Sequence, residues 1–288
     1  MMQEDAKLRF FSCFAKNGRE SVYGNNSAFM VNDDNILIID VGKLAARRID
    51  STNILKGMKK AFLILTHEHR DHLEGVPYLS KLCKSTGTEL YLVLPDNIAI
   101  IVLRIENKLK ALGFEKYETA QPADVAQAMN LKSIEFEPMI HHLQNEQSIT
   151  SAIIMTQQNG LKLVYATDHY DKGFVDKTIA DPLLGRFYTV GTHREPGETQ
   201  SHMPIRELID VIPTIQRPDT TIMHMTSEVV VPAKIAGFHT ADELLYQVPF
   251  RPLADPSKYQ QLLTIYNGTK NPSRENPLKH QLYPVRHF

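Results

Sequence analysis

The sequence has few of the features that would place the protein outside the cell or in a membrane. It has only two cysteines, Cys13 and Cys83, which form no Cys-x-x-Cys pair. We therefore expect reduced thiols rather than a disulfide. The acidic start, Met1–Asp5, is followed by no apolar signal core, and no apolar run reaches the roughly 18 residues that a membrane span requires. These absences predict a cytoplasmic protein without a membrane segment.

An excess of positive charge is also absent. The chain carries 32 Lys and Arg against 33 Asp and Glu, for a net charge of −1. A near-neutral surface offers little sequence-independent attraction to a phosphate backbone. A local basic patch such as Lys56, Lys59 and Lys60 would still allow nucleic acid as a partner, but the near-neutral net charge does not favour it.

The length and the 42% hydrophobic content fit one large globular domain with an appendage. We expect a domain over residues 1–240 and a proline-containing C-terminal extension over 241–288, with one helix at 257–266. Apolar runs predict strands at 29–31, 36–39, 61–65, 90–94, 134–140, 149–156, 161–166, 187–190 and 220–223. Turn residues at 32–35 predict a β-hairpin between the first two of these strands, and the Asn-Gly turn at 157–160 predicts another between the strands at 149–156 and 161–166. Helices are predicted at 73–83, 97–112 and 204–212, and residues 118–130 are interpreted as an insertion. Strands first, then strands interleaved with helices, favour packed layers over a regular βαβ repeat.

The most informative motif is the run Thr66-His67-Glu68-His69-Arg70-Asp71-His72, which directly follows the apolar strand at 61–65. A solvated polar loop is one interpretation. Three imidazoles and a carboxylate at the end of a buried strand instead favour a metal site, since a cation organises their lone pairs. Imidazole and carboxylate ligands without thiolate suit Zn²⁺ best, with Mn²⁺ or Fe also compatible.

Further candidate residues follow other predicted strands. Asp40, the pair His141 and His142, Asp168 and His224 each stand at or near a strand end. Taken singly, the aspartates could be turn formers and His224 a core histidine. Within the pair, alternation places His142 on the apolar side with Ile134, Phe136 and Ile140 and so favours it, whereas a bulge or a Pro-x-x-His spacing selects His141.

In this order the motifs resemble those of the metallo-β-lactamase-fold superfamily of hydrolases, over roughly residues 8–230. The resemblance implies an α+β fold, a four-layer αββα sandwich of two mixed β-sheets, with two divalent metal ions at the shared sheet edge. It implies that His67, His69 and His142 (or His141) hold one ion, that Asp71, His72 and His224 hold the other, and that Asp168 bridges them. Asp40 would orient ligands without binding metal.

Within that superfamily the chain looks nearest to the branch of ribonuclease Z and the cyclic-phosphate phosphodiesterases. There, a histidine before the equivalent helix contacts the scissile phosphate, and His202 precedes the predicted helix at 204–212. His202 would join Asp71 as a catalytic residue by protonating the leaving oxygen, with His193 and Arg194 as substrate-binding residues. A loop histidine that merely caps the helix is the open alternative for His202.

The resulting hypothesis is a dinuclear metal-dependent phosphodiesterase that cleaves a small phosphodiester, such as a cyclic nucleotide or cyclic phosphate, through a metal-bound hydroxide. The sequence shows neither a long basic, glycine-rich insertion for gripping transfer RNA nor an embedded second domain. The alternatives are a hydrolase of a lactam, lactone or thioester, a nuclease acting on RNA ends, and a binding protein without turnover. Because oligomers are common in the resembling branch, we expect a homodimer.

Overall fold

The computed structural model describes residues 8–13, 26–142, 145–192, 202–225 and 227–246, and the statements below concern that part of the chain. Contacts divide the chain into two units, residues 1–246 and 247–288. The first unit extends past the predicted boundary at 240, because Tyr246 N donates a 2.7 Å hydrogen bond to Phe10 O. The second unit, with the helix predicted at 257–266, lies outside the described residues.

The first sheet comes from the N-terminal half of the chain and has six strands in sequential order. They are β1 (Arg9–Ser12), β2 (Ser27–Asn32), β3 (Asn35–Ile39), β4 (Lys60–Ile64), β5 (Glu89–Val93) and β6 (Glu118–Thr119). The hairpin predicted around residues 32–35 is confirmed, since Asn32 pairs with Asn35 between antiparallel β2 and β3. From β3 to β6 all neighbours are parallel.

The second sheet comes from the C-terminal half and repeats this plan in the order β12-β11-β10-β9-β8-β7. Its strands are β7 (Leu131–His142), β8 (Asn145–Gln157), β9 (Lys162–Ala166), β10 (Leu184–Val190), β11 (Thr220–Met223) and β12 (His239–Thr240). Antiparallel pairing joins β7, β8 and β9, and the remaining neighbours are parallel. Gly160 at φ 87° occupies the left-handed region in the predicted Asn-Gly turn between β8 and β9.

Helices complete the sandwich. Those described are α1 (Lys43–Thr52), α2 (Arg70–Leu73), α3 (Val76–Thr86), α4 (Ala99–Ala111), α5 (Pro122–Ala128), α6 (Lys172–Ile179), α7 (Ile205–Val211) and α8 (Val230–Ile235). Buried side chains of both sheets form one hydrophobic cluster, and the predicted αββα sandwich of two mixed sheets is confirmed. Within the described ranges, no helix combines the length and apolar character needed to cross a bilayer.

One local prediction was wrong, and another placed a helix start three residues early. The segment 118–130 is part of the fold rather than an insertion, because it forms β6 at the sheet edge and α5, with Val125 and Met129 buried. Most of the helix predicted at 73–83 is confirmed as α3, but Leu73 ends the short helix α2, and Gly75 separates the two helices. Gly75 N donates to Val41 O at 2.9 Å, and Val41 N donates to His72 O at 2.6 Å. This junction therefore ties α2 to the loop after β3.

Replacing Gly75 by Ala is expected to destabilise the protein. An added Cβ would lie 2.5 Å from Gly42 O and 2.7 Å from Val41 O, so backbone must move. Such overpacking should lower the free energy of unfolding by about 1–3 kcal/mol, measured by urea denaturation. The control is G173A in α6, where the added Cβ meets Asp171 Oδ1 at an ordinary 3.5 Å. Equal stability of the two variants would contradict the close packing at Gly75.

Candidate metal centre

Three loops that follow parallel strands carry residues in the left-handed backbone region. Asp40 follows β3 at φ 56°, Asp168 follows β9 at φ 43°, and His224 follows β11 at φ 48°. This conformation costs about 1–2 kcal/mol for a residue other than glycine, and such outliers concentrate at functional sites. All three side chains are buried and face one cluster of imidazoles and carboxylates.

The cluster contains a first ligand group of four residues. Ligand atoms of His67, His69, His141 and Asp168 lie within 4.8 Å of one another. His67 and His69 occupy the extended segment after β4, so that alternate residues point the same way. The group joins the end of β4 in one sheet to the ends of β7 and β9 in the other.

The structure places His141 in this group, which is the alternative that the sequence left open. The alternation that favoured His142 does not continue along β7. Ile134 and Phe136 are buried, but the buried positions then become Met139 and His141. The register with β8 also shifts between Ile140 and His142. His141 therefore lies on the same inward side as Met139, and the side chain of His142 lies outside the described part of the structure.

A second ligand group holds Asp71, His72 and His224, again within 4.8 Å of one another. Asp71 does not continue the extended side of His67 and His69, because α2 begins at Arg70. The first helical turn instead directs Asp71 and His72 together toward His224. Helix α2 thus separates the motif into two ligand groups.

Asp168 lies between the two groups. Its Oδ2 atom is 3.4 Å from His67 Nε2 and 3.2 Å from His72 Nε2, and its Oδ1 atom is 3.0 Å from His224 Nε2. A carboxylate in this position can offer one oxygen to each of two cations. This geometry is compatible with the bridging role that the resemblance implies for Asp168.

Asp40 supports the cluster through hydrogen bonds. This carboxylate is fully buried and accepts hydrogen bonds from Thr66 N at 2.9 Å, Thr66 Oγ1 at 2.8 Å and His72 Nδ1 at 2.8 Å. When His72 is neutral, the last bond places its proton on Nδ1, so that Nε2 presents a lone pair toward Asp168. Asp40 thus orients His72 through this hydrogen bond.

The same carboxylate acts on His67 through Thr66. Because the Thr66 hydroxyl donates to Asp40, its oxygen accepts from His67 Nδ1, which is 3.0 Å away. A second hydroxyl, Thr150 Oγ1, lies 3.3 Å from the same nitrogen. His67 Nε2 is therefore the nitrogen that faces the cluster, and one carboxylate sets the tautomer of a histidine in each ligand group.

Burial and neighbouring charges fix the protonation of the cluster. Burial, reinforced by the charge of His67, lowers the pKa of His69 to about 4, so this imidazole is neutral at pH 7. Burial raises the pKa of Asp168, but the charges of His224 and His72 outweigh that effect and hold it well below its usual value. The cluster thus combines a neutral imidazole with an ionised carboxylate.

The residues present fit divalent cations. His67 Nε2 and His72 Nε2 are buried and make no hydrogen bond to any described residue, although both face Asp168. Leaving such atoms unsatisfied is costly, and a cation would satisfy them. Imidazole and carboxylate donors suit Zn²⁺, Mn²⁺ or Fe. We therefore expect His67, His69, His141 and Asp168 to hold one ion, and Asp71, His72, His224 and Asp168 another.

His202 lies on the open side of the cluster. Its Nε2 atom is 3.2 Å from Asp168 Oδ1, and its side chain is 26% exposed. With Asp168 and His224 it also forms a further set of atoms close enough to hold an ion. The following helix, α7, spans only Ile205–Val211 and has Glu207 in its first turn. An anion would therefore be recognised by His202 rather than by this helix end; His193 and Arg194 lie outside the described residues.

Sequence reasoning missed the hydroxyls that connect the cluster. Thr66 stands directly before His67, and its position in the motif is the signal that could have found it. Nothing in the sequence pairs Thr66 with Asp40 or Thr150 with His67, because these contacts depend on the packing of different strands.

Replacing Asp40 by Asn should weaken metal binding. The amide would donate to His72 Nδ1 and move the imidazole proton to Nε2, which faces the second ligand group. We expect about a 10- to 100-fold loss of Zn²⁺ affinity, measured by competition with a chromogenic chelator. The control is D33N, which makes the same substitution at φ 52° in the exposed turn at the other end of β3. Unchanged affinity in D40N would refute the orienting role.

Comparisons with known proteins agree with this fold. The fold is similar to that of the metallo-β-lactamase fold protein YhfI from Bacillus subtilis, with 16% identity, 84% of this chain and 94% of that chain covered, and a TM-score of 0.54. It is similar to a diphosphatase of the PhnP family, with 14% identity, coverage of 76% and 87%, and a TM-score of 0.55. It is also similar to the short form of human tRNase Z, with 13% identity, coverage of 77% and 93%, and a TM-score of 0.51.

These structures confirm the metallo-β-lactamase fold. A comparison with curated proteins gives no match. The family model described as "Anti-Pycsar protein Apyc1" matches residues 12–240. Since this match spans well over half of the sequence, the chain belongs to the anti-Pycsar protein Apyc1 family.

Proposed function

We propose that this chain is a dinuclear metal-dependent phosphodiesterase that acts on a small phosphodiester such as a cyclic nucleotide or a cyclic phosphate. The observation that carries the proposal is the shared position of Asp168. One of its oxygens faces His67 and His72, while the other faces His224 and His202. Two ligand groups and a partly exposed histidine therefore converge on one carboxylate.

The ligand residues define how a substrate would approach. Most of the cluster is buried, and His69, Asp71 and His202 are its partly exposed members. A phosphodiester would therefore reach the centre from the side on which His202 lies. Divalent cations held there would lower the pKa of water in the centre and would stabilise negative charge on the phosphate oxygens.

The chain's own residues supply the rest of the chemistry. Asp71 and Asp168 hold and polarise the metal centre, while Asp40 and Thr66 keep the correct nitrogen of His72 and His67 facing it. His202 is close enough to the centre to donate a proton to the leaving oxygen. Similarity to a PhnP-family diphosphatase and a tRNase Z supports phosphorus, rather than carbonyl carbon, as the atom attacked.

Replacing His202 by Ala should reduce phosphodiester cleavage by about a hundredfold or more, because a general acid contributes roughly 10²–10⁴ to the rate. The measurement is kcat/KM for a bis-aryl phosphate and for 2′,3′- and 3′,5′-cyclic nucleotides, with Zn²⁺ and with Mn²⁺. The control is H239A, which removes an exposed histidine of β12 that pairs with Glu243. Unaltered rates in H202A would contradict the role of His202.

The same substrate panel separates the rival functions. It should include a chromogenic lactam, a lactone, a thioester and a precursor RNA with an unprocessed end. Faster turnover of a carbonyl compound, or of RNA, by the parent protein would overturn the small-phosphodiester proposal. Recovery of every compound intact would favour a binding protein instead.

Metal content provides an independent test. Protein purified without chelator should contain about two transition-metal ions per chain by elemental analysis. Dialysis against a chelator should abolish turnover, and added Zn²⁺ or Mn²⁺ should restore it. Metal content near zero, with activity retained, would refute the metal-dependent mechanism.

A further inference from the structure

A contact outside the ligand groups connects the loop after β9 to helix α7. The hydroxyl of Tyr170 donates to Glu207 Oε1 at 2.5 Å. The other oxygen of Glu207 lies 3.0 Å from Lys172 Nζ. The Tyr170 side chain is 5% exposed, so water competes little for this bond.

The two connected segments are those that carry Asp168 and His202. Tyr170 follows Asp168 by two residues, and Glu207 follows His202 by five. The segments therefore meet twice, once where His202 Nε2 lies 3.2 Å from Asp168 Oδ1 and once at Tyr170 and Glu207. Loosening the second contact would free α7 to move and carry His202 with it.

The loop after β9 is a firm support for this contact. Both backbone groups of Ile140 bind it, since Tyr170 N donates to Ile140 O at 2.9 Å and Ile140 N donates to Asp171 Oδ2 at 3.1 Å. His169, a buried residue of the same loop, forms a hydrogen bond between Nε2 and Thr189 Oγ1 at 2.8 Å. Tyr170 thus extends from a fixed loop to the helix that follows His202.

Backbone hydrogen bonds attach the start of α7 to the segment that follows β10. Thr192 N donates to Met203 O at 3.1 Å, and Ile205 N donates to Thr192 O at 2.8 Å. Both bonds act at Thr192. Further along the helix, Arg217 Nη2 donates to Ile209 O at 2.8 Å. The Tyr170 bond to Glu207 adds a support in the first turn of α7, close to His202 along the chain.

We propose that Tyr170, through Glu207, is a positioning residue that holds His202 at Asp168 in the orientation needed to protonate the leaving oxygen. This inference rests on the proposed phosphodiesterase function and adds a specific support for its general acid. Displacing a catalytic group by a fraction of an ångström can cost one or two orders of magnitude in rate.

The first test replaces Tyr170 by Phe, which removes the hydroxyl and keeps the ring. We expect kcat on alkyl phosphodiesters to fall about tenfold with metal content unchanged. The loss should be smaller on bis-aryl phosphates, whose leaving groups need little protonation. A uniform loss for all leaving groups, or no loss, would overturn the proposal, because a merely structural role has no leaving-group preference.

Variants of Glu207 test whether Tyr170 needs a hydrogen-bond acceptor on α7. E207Q keeps an oxygen that accepts from Tyr170, whereas E207L keeps similar volume without an acceptor. We expect E207L to behave like Y170F and E207Q to lose much less activity. K172A removes the ion pair and leaves the Tyr170 bond, and so should match the parent protein. Equal losses in E207Q and E207L would overturn the proposal.

A double-variant cycle separates this inference from the proposed function. Y170F should cost nothing further in an H202A background, because Tyr170 acts only through His202. In the metal-free chain, the ¹⁵N resonances of His202 should shift in Y170F and stay in place in K172A, whatever the substrate is. If H202A lowers activity but Y170F neither lowers it nor shifts these resonances, the positioning role fails while the phosphodiesterase stands.

Discussion

The bonds made by Asp40 are the interaction on which the metal centre depends. Its carboxylate accepts a hydrogen bond directly from His72 and is connected to His67 through the Thr66 hydroxyl. A buried carboxylate is costly unless donors surround it, and here three donors do so. The same donors are the groups whose orientation the centre requires. The same hydrogen bonds therefore stabilise the charge of Asp40 and set the tautomer of one histidine in each ligand group.

Much of the fold was predictable, because its strands are continuous apolar runs that end at polar residues. The run before His67 became β4, and the Asn-Gly turn became the hairpin between β8 and β9. The segment 118–130 was misinterpreted because its short edge strand and few buried side chains leave only a weak periodic signal. Gly75 was missed as a helix break for a different reason: its role lies in the close approach of the loop after β3, which has no local signature.

The site was predictable in its residues and less so in their arrangement. Order along the chain was enough to select Asp40, Asp168 and His224, since each follows a strand. His141, the alternative to His142, joins the ligand group because the inward side of β7 changes between Phe136 and Met139. Contacts such as Thr66 with Asp40, or Tyr170 with Glu207, join segments that only the packed sandwich brings together. Sequence pattern predicts residues that face a common edge, whereas tertiary packing decides which of them touch.

The two sheets come from successive halves of the chain, and this has a consequence for assembly. His67, His69, Asp71 and His72 belong to the first half, while His141, Asp168 and His224 belong to the second. Each ligand group therefore draws on both halves, and neither half can bind metal through such a group alone. A cation that binds both halves closes loops of very long sequence separation, and so acts as a reversible crosslink of the native topology. A chain that binds metal through these groups must therefore have both sheets assembled.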